Sequence, residues 1–485
     1  MEKYDITLHE HNESFVRVEC DRSISTELGE YFSFFVPGYQ FSPAYKKRRW
    51  DGRIRLYNKR TNLFYKGLIQ YLYQFCTDRE YTVAKTFKMK KGKPDIQALL
   101  DRLDIPEEYK PRDYQIQGYN TCIENHRAVI LSPTASGKSF LIYLLTRHYD
   151  KKTLIIVPTI SLTVQMAGDF RDYGYKERVQ IIDGNADKIW KEEIEEQITV
   201  TTWQSIYEMP KSWFDQFEVV IGDEAHHFKS DSLKSIMTKC EAAKYRFALT
   251  GTLDESETHK LMIEALFGPV FELVTTKELM DAGHVAKLKI NIILFKHKKP
   301  KLAGKTYFDE RDYLFASNAR NKYITELAKK LPGNTIILYT LVDKHGRLLY
   351  DEIKNSYKKG QVFFIYGGTD GEQRESVRNI LERETDAILV ASYGTLSTGV
   401  NIRNLHNVIF ASPSRSRIRN LQSIGRGLRT HKSKSHATLY DIADDLRTTK
   451  NQPNNFTLNH LQDRVRVYNE QEFDYTITKI DLEDE

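Results

Sequence analysis

Cysteine is scarce: only Cys20, Cys76, Cys122 and Cys240 occur in 485 residues, and no two stand in a C-x-x-C pair. That spacing excludes a disulfide-stapled scaffold, a zinc module and a dithiol redox couple. The four are expected to be reduced thiols in a cytoplasmic protein. Long apolar runs are missing too. None approaches the roughly 20 residues needed to cross a bilayer, so no membrane partner is expected. The first five residues, Met-Glu-Lys-Tyr-Asp, lack a basic segment followed by an apolar one, and no secretory leader is expected. The fourteen histidines show no metal-ligand spacing, and no repeat of fixed period is found. Disorder is excluded by a 40% hydrophobic and 12% aromatic composition.

What is present is length, charge asymmetry and pattern. A chain of 485 residues holds two to four domains, each able to bury a core. The net charge of +6 is unevenly spread: residues 1–42 carry three Lys/Arg against eight Asp/Glu, and residues 43–93 carry fifteen against three. Residues 387–440 contain no acidic residue. Two concentrated positive stretches suit a polyanionic partner, although a solvated basic surface accounts for them equally well on charge alone.

From residue 128 onward, short β-branched runs alternate with longer amphipathic stretches. Segments 128–131, 153–157, 179–182, 198–201, 219–221 and 247–249 read as buried parallel strands. The pattern restarts at 335–338, 362–365, 387–390, 408–410 and 437–439. Two successive doubly wound α/β units are the simplest account. Residues 1–108 read as a small α+β domain, 109–285 and 286–445 as the two parallel-sheet domains, and 446–485 as a helical, then acidic tail. The interdomain connection is expected near 285–310.

Residues 132–139, Ser-Pro-Thr-Ala-Ser-Gly-Lys-Ser, follow an expected strand and open an expected helix at 140–149. A phosphate loop belongs there, because backbone N–H groups and the helix N-terminus then face the anion. Lys138 would reach the β- and γ-phosphates of ATP and the Ser139 hydroxyl would hold Mg²⁺. Ser132 stands where the full motif has its first glycine. The tripeptide Gly-Lys-Ser alone is common. A second element decides: residues 219–226, Val-Val-Ile-Gly-Asp-Glu-Ala-His, set two carboxylates just past a buried strand. Ligands of parallel sheets bind at that edge. Asp223 would hold Mg²⁺, and Glu224 would orient and deprotonate the attacking water. Upstream, Gln115 offers a donor–acceptor edge that matches adenine, with Arg112 or Tyr114 over the ring.

In combination these motifs resemble superfamily 2 helicases over residues 110–445. Residues 133–139, 223–226 and 422–429 (Gln-Ser-Ile-Gly-Arg-Gly-Leu-Arg) carry the likeness, with Val157-Pro-Thr159, Thr201-Thr-Trp-Gln204, Thr250-Gly-Thr252, Tyr366-Gly-Gly368 and Ser397-Thr-Gly-Val400 between them. The resemblance implies two tandem RecA-like domains. It implies that Gln422, Arg426 and Arg429 reach across the interdomain cleft, where guanidinium charge on the γ-phosphoryl is worth on the order of 10³–10⁵ in rate. It sets Arg112, Gln115, Pro133, Thr134, Ala135, Ser136, Gly137 and Gly399 at the nucleotide. Thr159, Thr201, Thr202, Gly368 and Thr398 would contact phosphates without reading bases. Thr250 and Thr252 would link the γ-phosphate to that track, although this segment departs from the commoner Ser-Ala-Thr form.

Residues 50–57, Trp-Asp-Gly-Arg-Ile-Arg-Leu-Tyr, alternate with period 2, so Arg53 and Arg55 share one strand face beside Trp50. On pattern alone this is a nucleic-acid strip or an ordinary edge strand. With residues 275–284, it resembles the UvsW-type family of phage recombination and branch-migration helicases, nearly end to end. That likeness implies a monomeric motor on forks, Holliday junctions and displacement loops, in the host-cell cytoplasm, with duplex DNA bound by the N-terminal domain. RNA–DNA hybrid and a single-strand-binding protein are further candidate partners. Three other readings remain: an RNA helicase, the duplex translocase of a restriction or remodelling complex, and a nucleotide-gated binding module that does not move. No strand-separating residue is visible in the sequence.

Overall fold

The computed structural model describes residues 4–184, 193–228, 231–253, 256–298, 300, 302, 304, 306–398, 402–416, 420–421, 423–425, 434, 436–449 and 451–482. The described chain holds 21 strands in chain order. The N-terminal seven are β1 (Ile6–Glu10), β2 (Phe15–Cys20), β3 (Ser33–Phe35), β4 (Arg53–Arg55), β5 (Tyr57–Asn58), β6 (Leu63–Tyr65) and β7 (Val83–Lys85). Five of them form a mixed sheet, β5-β6-β2-β1-β7, while β3 and β4 pair apart as a two-stranded ribbon. Alternation buries Ile6, Leu8, Val16 and Val18 on one face, under the helices Arg22–Tyr31 and Ile69–Asp78.

The next seven strands are β8 (Arg127–Leu131), β9 (Thr153–Val157), β10 (Gln180–Ile182), β11 (Ile198–Thr202), β12 (Val219–Asp223), β13 (Tyr245–Thr250) and β14 (Val270–Glu272). They form one parallel sheet in the order β10-β11-β9-β12-β13-β8-β14. Its inner strands are apolar on both faces because crossover helices cover both. The last seven are β15 (Lys287–His297), β16 (Thr335–Tyr339), β17 (Val362–Ile365), β18 (Ile388–Ser392), β19 (Asn407–Phe410), β20 (His436–Asp445) and β21 (Tyr475–Leu482). These build a second parallel sheet, β17-β18-β16-β19-β20-β15-β21. The fold is thus two tandem RecA-like domains behind a small α+β domain. No helix among the described residues is long and apolar enough to cross a membrane.

Two features depart from the sequence reading. The stretch expected to connect the domains, 285–310, contains β15, which runs between β20 and β21 for eleven residues. Its lysines mimic a linker, yet they alternate with Leu288, Ile290 and Ile292, and the latter two are buried. The segment read as a helical and acidic tail holds the expected helix, Phe456–Glu470, followed by an edge strand, β21, paired with β15. An edge strand presents one sheet face and one ladder edge to water, so Lys479 and Asp481 fit it and disguise it. That helix is anchored by a buried cation: Arg464 Nε donates to Asp441 Oδ2 at 2.9 Å, and the Tyr468 hydroxyl donates to the same oxygen at 2.9 Å.

The chain divides into two compact units: Met1–Ser132 with Gly137–Leu273, which holds the N-terminal domain and the first parallel sheet, and Pro133–Ser136 with Val274–Glu485, which holds the second sheet. Within the first unit, the N-terminal domain is welded to its neighbour by a polar seam. Glu13 Oε2 accepts from Lys66 Nζ at 2.9 Å and from Arg127 Nη2 at 2.8 Å. Arg246 Nη2 donates to Ser14 Oγ at 2.9 Å, and the Tyr71 hydroxyl donates to Glu264 at 2.7 Å. A Cβ on Gly67 would lie 2.1 Å from the Glu264 carbonyl oxygen, so backbone meets backbone there. Burial alone would raise the Glu13 carboxyl, but the Arg127 charge and the Lys66 hydrogen bond outweigh it and hold the group below its ordinary range. A depressed carboxyl stabilises the fold above the unfolded value and loses that contribution as pH falls. Glu13→Gln is therefore expected to cost about 1–3 kcal/mol at neutral pH, because it leaves buried cations underpaired. The gap to wild type should close as pH drops below about 4.5. Urea melts at pH 7 and pH 4 check this; equal gaps at both would remove Glu13 from the seam.

Candidate active site

The register of the first sheet brings the site together. Leu131, the last residue of β8, lies opposite Thr250 of β13, and Leu249 lies opposite Asp223 at the end of β12. The start of the phosphate loop and the paired acids thus flank one strand, two spacings or about 10 Å apart. Ser132 N donates to the Thr250 carbonyl at 2.9 Å, which ties the loop to that strand. The loop then turns on two left-handed residues, Ala135 at φ 69° and Gly137 at φ 79°. Gly137 caps the helix Lys138–Tyr149, so the positive N-terminal end of the helix opens onto the loop. Lys138 Nζ donates to the Ser132 carbonyl at 3.3 Å, and the Ser139 and Tyr173 hydroxyls lie 2.8 Å apart.

Gln115 is buried and engaged at both ends: its Nε2 donates to the Gly137 carbonyl at 3.2 Å, and its Oε1 accepts from Arg112 N at 2.9 Å. In this state the amide braces the phosphate loop. A Cβ on Gly137 would meet that Nε2 at 2.5 Å, which adds a steric reason for glycine to its positive φ. Arg112 Nη1 donates to the Tyr114 hydroxyl at 2.8 Å.

Asp223 Oδ1 accepts from Glu224 N at 2.9 Å. Burial first, and then the neighbouring Glu224 charge, push the Asp223 carboxyl up to about 7, against the pull of Lys138. Glu224 sits at φ 50° and ψ 54°. A left-handed non-glycine residue costs roughly 1–2 kcal/mol, and such strain gathers at functional sites. The next buried group, His226, is 4% exposed, with its pKa lowered to about 4 chiefly by burial, so its ring is neutral at pH 7. His226 Nδ1 lies 3.0 Å from Thr250 Oγ1 and 3.4 Å from Glu224 Oε2. Thr250 Oγ1 gives its own proton to the Thr252 carbonyl at 2.8 Å. Both neighbours of Nδ1 are then acceptors, which assigns the proton to Nδ1. The sequence reading counted His226 only as the last residue of the carboxylate motif and missed this Glu224–His226–Thr250 chain; it missed Tyr173 as well. The i+2 spacing from Glu224 was its only signal.

The residues expected at nucleic acid divide. Thr159 precedes the helix Ile160–Asp172, with its hydroxyl 3.1 Å from that of Ser161. Gly368 is exposed beyond β17, and a Cβ there would lie 2.7 Å from the Tyr366 ring. Thr201 is different: its side chain is fully buried and donates to the Ile182 carbonyl at 2.9 Å, so the hydroxyl is spent inside the sheet. Thr202 is nearly buried, paired with Ser205 at 2.9 Å. Thr201 is thus spent on a neighbouring strand and Thr202 on a hydroxyl of the following helix. In the N-terminal domain, Trp50 Nε1 donates to the Arg53 carbonyl at 2.9 Å, and Arg55 is paired with Asp51. Arg53 lies over the Phe35 ring at 4.1 Å. Gln422, Arg426, Arg429 and Gly399 lie outside the described residues; Thr398 ends the helix Tyr393–Thr398. Among the described residues, no group of three or more His, Cys, Asp or Glu side chains is placed to hold a metal ion.

Three family models match consecutive parts of the chain. They are "DNA helicase UvsW, N-terminal" over residues 5–85, "Type III restriction enzyme, res subunit" over 108–255, and "Helicase conserved C-terminal domain" over 319–431. The ATP-dependent DNA helicase uvsW of Enterobacteria phage T4 is 36% identical over 507 residues, spanning 99% of this chain and 100% of that protein. The DNA 3'-5' translocase XPB2 of Sulfurisphaera tokodaii is 26% identical and spans 54% of this chain and 53% of its own. The crystal structure of T4 UvsW superposes with a TM-score of 0.51 at 34% identity, covering 99% of this chain and 100% of that one. A likeness at this identity that leaves almost no residue of either chain unmatched is one of family and not of fold alone, and the protein belongs to the UvsW family of ATP-dependent superfamily 2 helicases.

Proposed function

We propose that this protein is a monomeric, ATP- and Mg²⁺-driven DNA helicase that remodels branched DNA: forks, four-way junctions and displacement loops. What supports it most is the buried acid pair of Asp223 and Glu224, set on the same sheet edge as the Lys138–Ser139 loop in a chain that carries a UvsW-type N-terminal domain. A divalent cation fits the donors. Asp223, raised to about 7 by burial and a neighbouring acid, is a carboxyl whose ionised form Lys138 only partly compensates. The Ser139 hydroxyl supplies a neutral oxygen, and nucleotide phosphates and water would complete an oxygen shell. Bound there, the cation would neutralise charge on the β- and γ-phosphates.

The protein's own groups carry the rest. Lys138 holds the phosphates, and Glu224 accepts a proton from the attacking water. The Nδ1–H of His226 faces both Glu224 and Thr250, so a change at the γ-phosphate reaches the segment ending at Thr252. Arg426 and Arg429 are proposed to add positive charge at the transferring phosphoryl, with the Gln422 amide and Gly399 at the nucleotide. Thr159, Gly368 and Thr398 are proposed to hold the DNA backbone through short groups that read no bases. RNA–DNA hybrids fall within the same reading, because such contacts do not select the sugar. A single-strand-binding protein would occupy the strand that remodelling frees.

Steady-state ATP hydrolysis tests this, measured without polymer and with single-stranded DNA, duplex, four-way junction and single-stranded RNA. Strongest stimulation by junction or forked DNA is expected. Equal stimulation by RNA would favour an RNA helicase, and strongest stimulation by blunt duplex a duplex translocase.

A further inference from the structure

The ribbon of β3 and β4 carries a tongue, residues 36–52, in which Tyr39, Tyr45 and Trp50 are half-buried and Phe41 points to water. Phe41, in the short 3-10 turn Tyr39–Phe41, is 79% exposed, the most of any large apolar side chain among the described residues, and Phe35 is 46% exposed. A phenylalanine so exposed gives up most of the burial that normally stabilises it. The tongue is nevertheless braced. Phe35 stacks on Tyr39 with centroids 4.7 Å apart at 22°, Tyr39 meets Tyr45 edge-on at 4.8 Å, and the Arg53 guanidinium lies 4.1 Å over Phe35. Gly52, at φ +82°, leaves only 2.3 Å between a would-be Cβ and the Tyr39 ring, so that ring fills the space a side chain would take. Just past the tip come Lys46, Lys47, Arg48 and Arg49, all exposed, and none is held in an ion pair among the described residues.

We propose that this tongue is the branch-point contact of the helicase: Phe41 stacks on the terminal or unpaired base where the strands part, while residues 46–49 grip the flanking phosphates. The inference rests on the branched-DNA reading and gives it the strand-separating element that the sequence did not reveal. Every base offers a π-face, so stacking suits an enzyme without sequence preference. The four cations supply the salt-dependent, sequence-independent part of the grip. Arg55, paired with Asp51, contributes less than its place in the sequence suggests.

The test uses the full chain and equilibrium binding, which needs no motor activity. A fork with 2-aminopurine at its branch point is compared with a duplex of equal length whose ends are closed by hairpins. Wild type should prefer the fork and quench the 2-aminopurine. Phe41→Ala should lose about 5- to 150-fold of fork affinity and the quenching, with closed-duplex affinity and thermal midpoint unchanged. Phe41→Trp should restore both signals, and Phe41→Leu, apolar without a π-face, neither. Replacing residues 46–49 by Gln should weaken both substrates and flatten the salt dependence. Fork affinity and quenching retained in Phe41→Ala would overturn the assignment, as would full rescue by Leu. ATP hydrolysis stimulated by single-stranded DNA is measured alongside on the wild type; its absence would count against the motor and leave the binding result to decide the tongue.

Discussion

Glu224→Gln is expected to lower kcat for DNA-stimulated ATP hydrolysis by about 10²–10⁴, the usual worth of a positioned general base, while nucleotide affinity stays within a few-fold. The amide keeps the shape of the carboxylate, so the loop proposed to hold ATP is undisturbed. What disappears is a base on which the backbone has been spent: Glu224 occupies a left-handed conformation at the end of β12, where its carboxylate faces the His226 Nδ1–H. His226 is neutral at working pH and donates to either carboxylate or amide oxygen, so the chain to Thr250 survives the change. Loss is confined to the step that moves a proton. Lys138→Ala serves as the contrast. It should weaken ATP binding together with turnover, because the ammonium is needed before as well as during the reaction. A Glu224→Gln enzyme that binds ATP poorly, or that turns over at more than about a tenth of the wild-type rate, would contradict the role given to Glu224.

The second large effect concerns stability. Arg464→Ala is expected to destabilise the second domain by about 3–5 kcal/mol, because it strands Asp441 in the core without its cation. Asp441 is fully buried, and its Oδ2 takes both the Arg464 Nε and the Tyr468 hydroxyl. Losing the guanidinium also frees the Ser414 carbonyl, which accepts from Arg464 Nη1 at 3.0 Å. For a domain of roughly 200 residues the melting midpoint should fall by about 6–20 °C. Replacing both partners by apolar residues of similar volume, Arg464→Met with Asp441→Leu, should recover much of the loss. Differential scanning calorimetry resolves the two cases, and a single variant that melts with wild type would show that the helix Phe456–Glu470 is not anchored there.

Most of the fold could be read from the chain because the inner strands of parallel sheets announce themselves. Runs such as 153–157 and 219–221 are apolar on both faces, which no exposed segment sustains. The sheet edges were harder. β14 has three residues and β21 alternates charge with apolar residues, so neither resembles a core strand. β15 was hidden by Lys287 and Lys289, exposed residues that alternate with Leu288, Ile290 and Ile292, of which the last two are buried.

The candidate nucleotide site was legible from spacing, since Lys138, Ser139, Asp223 and Glu224 all follow β-branched runs at one edge of a parallel sheet, where ligands of such sheets bind. The hydroxyls were not. Thr201 and Thr202 differ from Thr159 only in which way a strand or cap turns them, and one-dimensional spacing does not carry that. Phe41 was unreadable for a related reason: a lone aromatic in a chain with 24 phenylalanines signals packing until its exposure is known. Gln115 shows a third limit, because its sequence position announces a nucleotide contact while its amide now braces Gly137.

The central claim, that ATP turnover drives the rearrangement of branched DNA, is tested most directly with a synthetic four-way junction whose arms carry a fluorophore and a quencher on strands that separate only on branch migration. With Mg²⁺ and ATP the wild-type protein should separate them, whereas Glu224→Gln with ATP, or wild type with a non-hydrolysable analogue, should bind the junction and leave it intact. Separation that proceeds equally in Glu224→Gln, or without nucleotide, would mean that binding alone melts the junction, and the account of an ATP-driven motor would be wrong.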